Sequence, residues 1–334
     1  MFTRKLYSLA RVSIKKILSV WIVGLAAVLP GQYASAQASY PGGPIHLVVP
    51  FQAGGLTDIL ARVIAERLGS GPGWNVIVEN KVGAGGSIGA EYVARSRPDG
   101  LTLLMGSIGT NATNPYFYKD MRYDPQKDFA PIALAAAGTL LLVVKPSLPI
   151  RNMGELIAYA KAHPGQLSYA SGGVGTSQHL AGELLKSMAH IDVQHVPYKG
   201  ISPAMTDLLG GRVSMTFDMA TVLPYVKEGK MLPIAVANPR RSSVLPDVPT
   251  IAEAGVPGYA ASAWYGVFAP KGTPDSVVEK LNSEINKIIS APDVRQQLLG
   301  MGAETSPMSA QAFKKFVSDE SVKWGAVLKN LTLN

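Results

Sequence analysis

Residues 45–68 read IHLVVPFQAGGLTDILARVIAERL, and the order of residue types in that stretch decides the fold class. Ile45–Val49 is a short apolar run, Pro50–Gly55 is a loop ending on two glycines, and Asp58–Leu68 places Ile59, Val63, Ile64 and Leu68 on one helical face. Strand, glycine-rich loop, amphipathic helix: the pattern then repeats. Val76–Val78, Val82–Ser87 and Ile88–Arg95 form the next unit, and Leu101–Met105 a third strand. After an apolar strand at Leu140–Val144, a helix around Met153–Ala162 is stopped by His163-Pro164-Gly165. Strand Leu167–Ala170, loop Ser171–Gly175 and helix Ser177–Met188 follow. Strand Val193–Val196, loop Pro197–Gly200, helix Pro203–Leu209 and strand Val213–Phe217 complete the series. Ala263–Phe268 is one more apolar strand, and Pro274–Ile289, Val294–Leu299 and Ala310–Leu328 read as helices. The alternation predicts an α/β protein with mainly parallel sheets flanked by helices. Two sheets of ordinary size suit this many strands better than one.

The N-terminus is of a different kind. Residues 1–16 carry Arg4, Lys5, Arg11, Lys15 and Lys16 and no acid, an apolar run extends from Ile17 to Leu29, and Ala34-Ser35-Ala36 closes the segment. A charged start, a short apolar stretch and small residues at −3 and −1 predict a secretory signal peptide over residues 1–36, cleaved after Ala36. The run is shorter than the roughly 20 apolar residues a spanning helix requires. Cleavage also changes the charge. The whole chain has 31 Lys+Arg against 23 Asp+Glu; losing five cations leaves 26 against 23, a net of +3. No cluster of Lys and Arg with interleaved aromatics remains, so nucleic acid is not expected as a partner. The chain has no cysteine, which excludes thiol catalysis and thiolate metal centres. With 47% apolar and 16% charged residues it is globular, and long enough to build a core without disulfides.

Three loops carry the chemistry: Pro50–Asp58, Gly83–Ser87 and Ser171–Ser177. Each follows a strand, is rich in glycine and leads into a helix that begins with hydroxyl residues. At the carboxyl ends of parallel strands such loops face ligands. Free amides at a helix start, with the partial positive charge there, suit an anion. None of the three contains Arg or Lys before its helix, so neutral donors would carry the anion. Thr176 and Ser177 add hydroxyls. Asp218, closing the strand Val213–Phe217, could accept from a ligand or cap the next helix at Thr221.

Enzyme readings fit less well. Gly85-Gly86-Ser87-Ile88-Gly89 matches G-x-S-x-G and makes a secreted serine hydrolase on Ser87 the rival reading. It needs an acid and a histidine on later strand ends, and His179 falls inside a helix. A dinucleotide turn fails on Ile88, which stands where the third glycine belongs. His190 and His195, five apart in an extended segment, would face opposite sides, with no carboxylate cluster beside them. No metal site, cofactor or catalytic residue is expected.

Taken together the motifs resemble a known family. Pro50-Phe51-x-x-Gly54-Gly55-x-x-Asp58-x-x-Ala61-Arg62, Asn80-x-x-Gly83-Ala84-Gly85-Gly86-x-x-Gly89, Gly109-Thr110-x-x-x-Asn114-Pro115, Gly173-x-Gly175-x-x-x-His179-Leu180 and Val196-Pro197-Tyr198-Lys199-Gly200 run in order along the mature chain. The set resembles the Bug family, periplasmic solute-binding proteins of tripartite tricarboxylate transporters. That resemblance implies a two-lobed flytrap of the type II kind: lobe one from 40–142 with 263–334, and lobe two from 143–262. Leu140–Val144 and Ala263–Phe268 would be the hinges. It implies an exported monomer that holds a small carboxylate (mono-, di- or aromatic) in the interlobe cleft and delivers it to membrane subunits. The expected ligand contacts are Phe51, Gly54, Gly55, Ser87, Ser107, Thr110, Asn111, Gly173, Gly175, Thr176, Ser177, Tyr198 and Asp218. Gln52-Ala53 departs from the prolines many relatives carry, so the first loop is expected to be more mobile.

Overall fold

The computed structural model describes residues 40–330; the signal-peptide reading over 1–36 lies outside them. From the first described strand the chain runs β1 (Ile45–Val49), α1 (Leu56–Ser70), β2 (Val76–Asn80), α2 (Ser87–Ala94), β3 (Thr102–Ser107) and β4 (Phe129–Gly138). It then passes into β5 (Leu141–Val144), α3 (Met153–Ala162), β6 (Ser168–Ser171), α4 (Ser177–Ala189), β7 (Gln194–Pro197), α5 (Ile201–Leu209), β8 (Met215–Phe217), α6 (Leu223–Lys227) and β9 (Leu232–Val236). It returns through β10 (Ala263–Pro270), α7 (Asp275–Ser290), α8 (Pro292–Leu299), β11 (Ala303–Glu304) and α9 (Ala310–Asn330).

Two sheets result. One has the order β11-β4-β10-β3-β1-β2, the other β7-β6-β8-β5-β9. This is the two-lobed α/β architecture, with one correction: the sheets are mixed, not mainly parallel. β1 pairs parallel with β2 and β3, but β10 is antiparallel to both β3 and β4, and β11 to β4. In the second sheet β6 is parallel to β7 and β8, whereas β5 is antiparallel to β8 and β9. The cause is topological. β4 leaves the first sheet at the same end as β3, the chain enters the second sheet two residues later, and a strand that comes back from that side must run the other way. β5 and β10 are those crossing strands, and each lies inside its sheet.

Ala263–Pro270 is buried along its whole length between β3 and β4, and Leu141–Val144 likewise between β8 and β9. The chain passes between the two sheets beside them, at 139–140 and after Ala261, whose N donates to the Ala237 carbonyl (2.9 Å). There Leu140 N donates to Asn238 Oδ1 (2.8 Å), Asn238 Nδ2 to the Gly138 carbonyl (3.3 Å), and Thr139 N to the Gly302 carbonyl (2.8 Å).

The helical faces follow burial more than the pattern of β-branched residues alone. On α1 the buried apolar residues are Leu56, Leu60, Ala61, Val63, Ile64 and Leu68, with Ile59 only half-buried. Trp264, Phe268, Phe313 and Trp324 fill the first lobe, and Tyr169, Phe217 and Tyr259 the second. At about 25 cal/mol per Å² of apolar surface, and 150–250 Å² per aromatic side chain, each ring contributes roughly 4–6 kcal/mol of gross burial. These cores fix both sheets rigidly enough to aim their loops. Among the described residues no helix is long and apolar enough to cross a membrane.

Candidate ligand-binding site

The carboxyl-end loops of the two sheets meet face to face. Gln52 N donates to the Lys199 carbonyl (3.1 Å), Thr113 Oγ1 to the Gly175 carbonyl (2.8 Å), and Tyr118 Oη to the Val174 carbonyl (3.1 Å). All three bonds cross from the first lobe to the second, so the cleft is closed. It holds a pocket that is partly open to solvent. Phe51, Gln52, Gly55, Leu56, Thr57, Ser107 and Tyr265 line it from the first lobe. Gly172, Thr176, Ser177, Gln178, Gly200, Ile201 and Asp218 line it from the second.

Three helices begin at this cavity: α1 after Gly55, α4 after Thr176 and α5 after Gly200. None has a side-chain cap. By contrast α3, away from the cleft, is capped by Asn152, whose Oδ1 accepts from Glu155 N at 2.9 Å. A missing cap is not itself unusual, since α7 and α8 also lack one. The convergence is. First-turn amides of three helices meet at a cavity lined by no Lys or Arg, with Asp218 as the one acid in its lining, an arrangement that can hold negative charge through neutral donors. Lys199 sits on the outer mouth with Gly85, Tyr118, Gly173 and Tyr198.

The first loop is shaped by a buried acid. Asp58 accepts from Gly54 N (3.1 Å), Arg62 Nε (2.9 Å) and Asn80 Nδ2 (3.0 Å). Burial alone would push its carboxyl up; the bonds from Arg62, Asn80 and the Gly54 amide, with the guanidinium charge, hold it below the usual range. The second-lobe loop needs left-handed backbone at Gly175 (φ +84°), where a Cβ would run into Asn114 Oδ1 of the other lobe. Only glycine permits that approach.

Of the residues expected from sequence, Phe51, Gly55, Ser107, Thr176, Ser177 and Asp218 come together around the cavity. The others do not line it. Gly54 is bonded to Asp58, and Gly173 and Tyr198 belong to the outer mouth, where Tyr198 Oη donates to Asp207 Oδ2 (2.7 Å). Gly175 shapes the loop wall behind the lining. Thr110 and Asn111 are fully buried beneath the end of β3: Ser107 N donates to Thr110 Oγ1 (2.9 Å), and Thr110 Oγ1 to Asn111 Oδ1 (2.7 Å). Ser87 Oγ accepts from Asn114 Nδ2 (2.9 Å), a partner that cannot act as a base.

Two hydroxyls have roles the sequence did not reveal. Thr176 Oγ1 donates to the Gly173 carbonyl (2.7 Å), so it braces the loop and its proton is not available to an anion. Ser107 Oγ is buried with no hydrogen-bond partner. Asp218 takes the capping role. Its Oδ2 accepts from Thr221 N (2.8 Å) and Thr221 Oγ1 (2.5 Å), and it also lines the cavity. Burial raises its carboxyl above the ordinary value, opposed by those bonds and by Gln178. Tyr265, which sequence reading passed over inside an apolar strand, lies across from it; burial and the nearby Asp218 raise its hydroxyl. Gln52, Leu56, Thr57, Gly172, Gln178, Gly200 and Ile201 were also missed. Most contribute through backbone or helix position, which residue type does not announce. Among the described residues no group of three or more His, Asp or Glu is placed to hold a metal.

Residues 60–333 match the model of the tripartite tricarboxylate transporter family receptor. The chain belongs to this family. A UPF0065 protein from the tcbD-tcbE intergenic region of Pseudomonas sp. strain P51 is 39% identical over 336 residues, covering all of this chain and 99% of the relative. The structure of R. palustris Rpa4515 with adipate is 40% identical and superposes with a TM-score of 0.84, over 87% of this chain and 97% of that one. The periplasmic binding protein BugD is 37% identical, with a TM-score of 0.82 over 87% and 98%. The family is one of solute-binding receptors, and the serine-hydrolase alternative finds no support in it.

Proposed function

We propose that this chain is the exported receptor of a tripartite tricarboxylate-type transporter, capturing a small carboxylate between its lobes and presenting it to the membrane subunits. The observation that carries the reading is the convergence of the α1, α4 and α5 N-termini on one closed cavity without a cation. Adipate bound to a 40% identical relative supports the ligand class. The contacts we assign to the ligand are the amides of Leu56, Thr57, Ser177, Gln178 and Ile201, with the Ser107 hydroxyl. Phe51, Leu56, Ile201 and Tyr265 form the apolar wall. The receptor acts as a monomer, without nucleic acid, metal or catalysis. It is made with a signal peptide cleaved after Ala36 and works in the periplasm. Its lobes divide as 40–142 with 263–334, and 143–262; Leu141 and Leu142 already pair within the second sheet.

A thermal-shift and calorimetry panel of adipate, malate, succinate, benzoate and nicotinate tests this. A ligand at 100 times its Kd adds about 2.7 kcal/mol, a rise of roughly 4 °C for a protein of this size. If no carboxylate stabilises the mature protein at millimolar concentration, the reading is wrong.

A further inference from the structure

Beside the Gly172–Thr176 loop, outside the cavity lining, lies a cluster of buried and half-buried titratable groups. His179, on the first turn of α4, and His195, on β7, lie with ring centroids 4.3 Å apart and planes tilted by 35°. His179 Nδ1 accepts from Gly175 N at 3.2 Å. His195 Nε2 lies 2.6 Å from Ser171 Oγ, and that oxygen in turn accepts from Gly173 N at 3.1 Å. The two rings thus reach the two glycine amides that turn the loop, one directly and one through a hydroxyl. The first lobe meets this cluster too. The Phe117 ring stands edge-on to His179 (4.9 Å, 70°), and Thr113 Oγ1 bonds the carbonyl of the same Gly175 whose amide His179 holds.

We propose that His179 and His195 are positioning residues that hold the Gly172–Thr176 loop in its ligand-binding shape, and that His179 does so as a neutral ring. The proposal rests on the reading of this loop as part of the anion cradle. Its chemistry is specific. An imidazole that accepts at Nδ1 must carry its proton on Nε2; a second proton would set N–H against N–H at Gly175 and release the turn. The groups that face the pair from every side oppose that second proton or tolerate its absence. Tyr169, on β6, stacks on His195 and donates through Oη to Glu183 Oε1 (2.7 Å), and Lys186 Nζ pairs with Glu183 (2.9 Å). Tyr259 donates its hydroxyl to the Ala181 carbonyl (2.8 Å). Glu183 is therefore already bonded to two donors, and the Lys186 charge offsets its own. Burial, then the Lys186 charge, lowers His179 to about 4; burial, His179 and Lys186 lower His195 to about 3, against a smaller pull from Glu183.

The test begins on the ligand-free mature protein at pH 7. Ring nitrogen correlations should place the His179 proton on Nε2, with a hydrogen-bond coupling from the Gly175 amide into Nδ1. Binding is then measured with adipate as probe. His179→Phe keeps a ring of similar shape but has no acceptor, and should raise the Kd at least tenfold. His179→Asn returns a side-chain acceptor and should stay within about threefold of the unsubstituted protein. Melting temperatures of both variants show whether the lobe is intact. A proton on Nδ1, or an unchanged Kd in a folded His179→Phe protein, would overturn the proposal. Should the unsubstituted protein bind no adipate, that result counts against adipate as ligand, and the ring and amide spectra still decide the brace.

Discussion

Gly85 offers the sharpest test of whether the closed form is the binding form. It sits in the first-lobe loop with φ +59°, and a Cβ built there would approach the Val174 carbonyl oxygen of the second lobe closer than 3.0 Å and the Tyr118 hydroxyl at 2.7 Å. Gly85→Ala therefore carries two separable penalties. Left-handed backbone at alanine costs about 1–2 kcal/mol whether the cleft is open or closed. The clash with the Val174 carbonyl exists only when the lobes meet, whereas Tyr118 belongs to the same lobe and its ring can turn aside when the cleft is open. Overpacking of this kind costs about 1–3 kcal/mol, which weakens binding roughly fivefold to 150-fold. Gly229→Ala is the control: its φ is +70°, but nothing lies within 4 Å of the added carbon. Calorimetry and melting curves on both variants separate the terms. Both should melt a few degrees lower, and only Gly85→Ala should lose affinity. If Gly85→Ala binds as tightly as the unsubstituted protein while its melting temperature falls, the ligand is held by an arrangement other than this closed cleft.

Three further outcomes are expected. Because His179 and His195 are held near 4 and 3, against about 6.5 in an unfolded chain, the unfolded state takes up protons first as pH falls. The stability these neutral rings confer is complete above about pH 6.5 and declines below it, by about 2 kcal/mol per ring at pH 5; a urea midpoint unchanged between pH 7 and pH 5 would contradict it. Thr176→Ala should weaken carboxylate binding less than tenfold, since the lost bond to Gly173 is one neutral hydrogen bond worth about 1 kcal/mol and the amides remain. A hundredfold loss by calorimetry would put the hydroxyl on the ligand after all. Intact-mass measurement of the exported protein should give a chain starting at Gln37, and a mass retaining residues 1–36 would refute the signal-peptide reading.

Much of the fold was legible because each unit of the series announces itself locally: apolar run, glycines, amphipathic helix. What escaped notice was of two kinds. β4, Phe129–Gly138, is a strand of the first sheet bonded on both sides, yet its sequence FAPIALAAAG is alanine-rich with a proline and a glycine, poor strand formers on any propensity scale. Its burial between β10 and β11 overrides that preference. β9, Leu232–Val236, carries Pro233 and was missed for the same reason. Strand direction was the other gap. Nothing in AWYGVFAP says that the strand enters from the opposite lobe, so the mixed sheets follow from chain path and not from residue type.

The site divides along a similar line. Positions where glycine meets a helix start were legible, because the need for a close backbone approach selects the residue. Side chains inside those loops were less so, since a hydroxyl beside an anion site can face either way. Thr176 and Ser107 illustrate the two outcomes. Both were expected to meet the ligand; Thr176 is occupied by the Gly173 carbonyl, and Ser107 is a buried hydroxyl with no partner among the described residues. A buried hydroxyl with nothing to bond costs about 1–3 kcal/mol, and the closed cleft puts that cost at its floor. A ligand oxygen that reaches Ser107 removes it. If a ligand oxygen reaches Ser107, Ser107→Ala should weaken binding by about 1 kcal/mol, roughly fivefold; calorimetry showing an unchanged Kd would remove Ser107 from the contacts we propose.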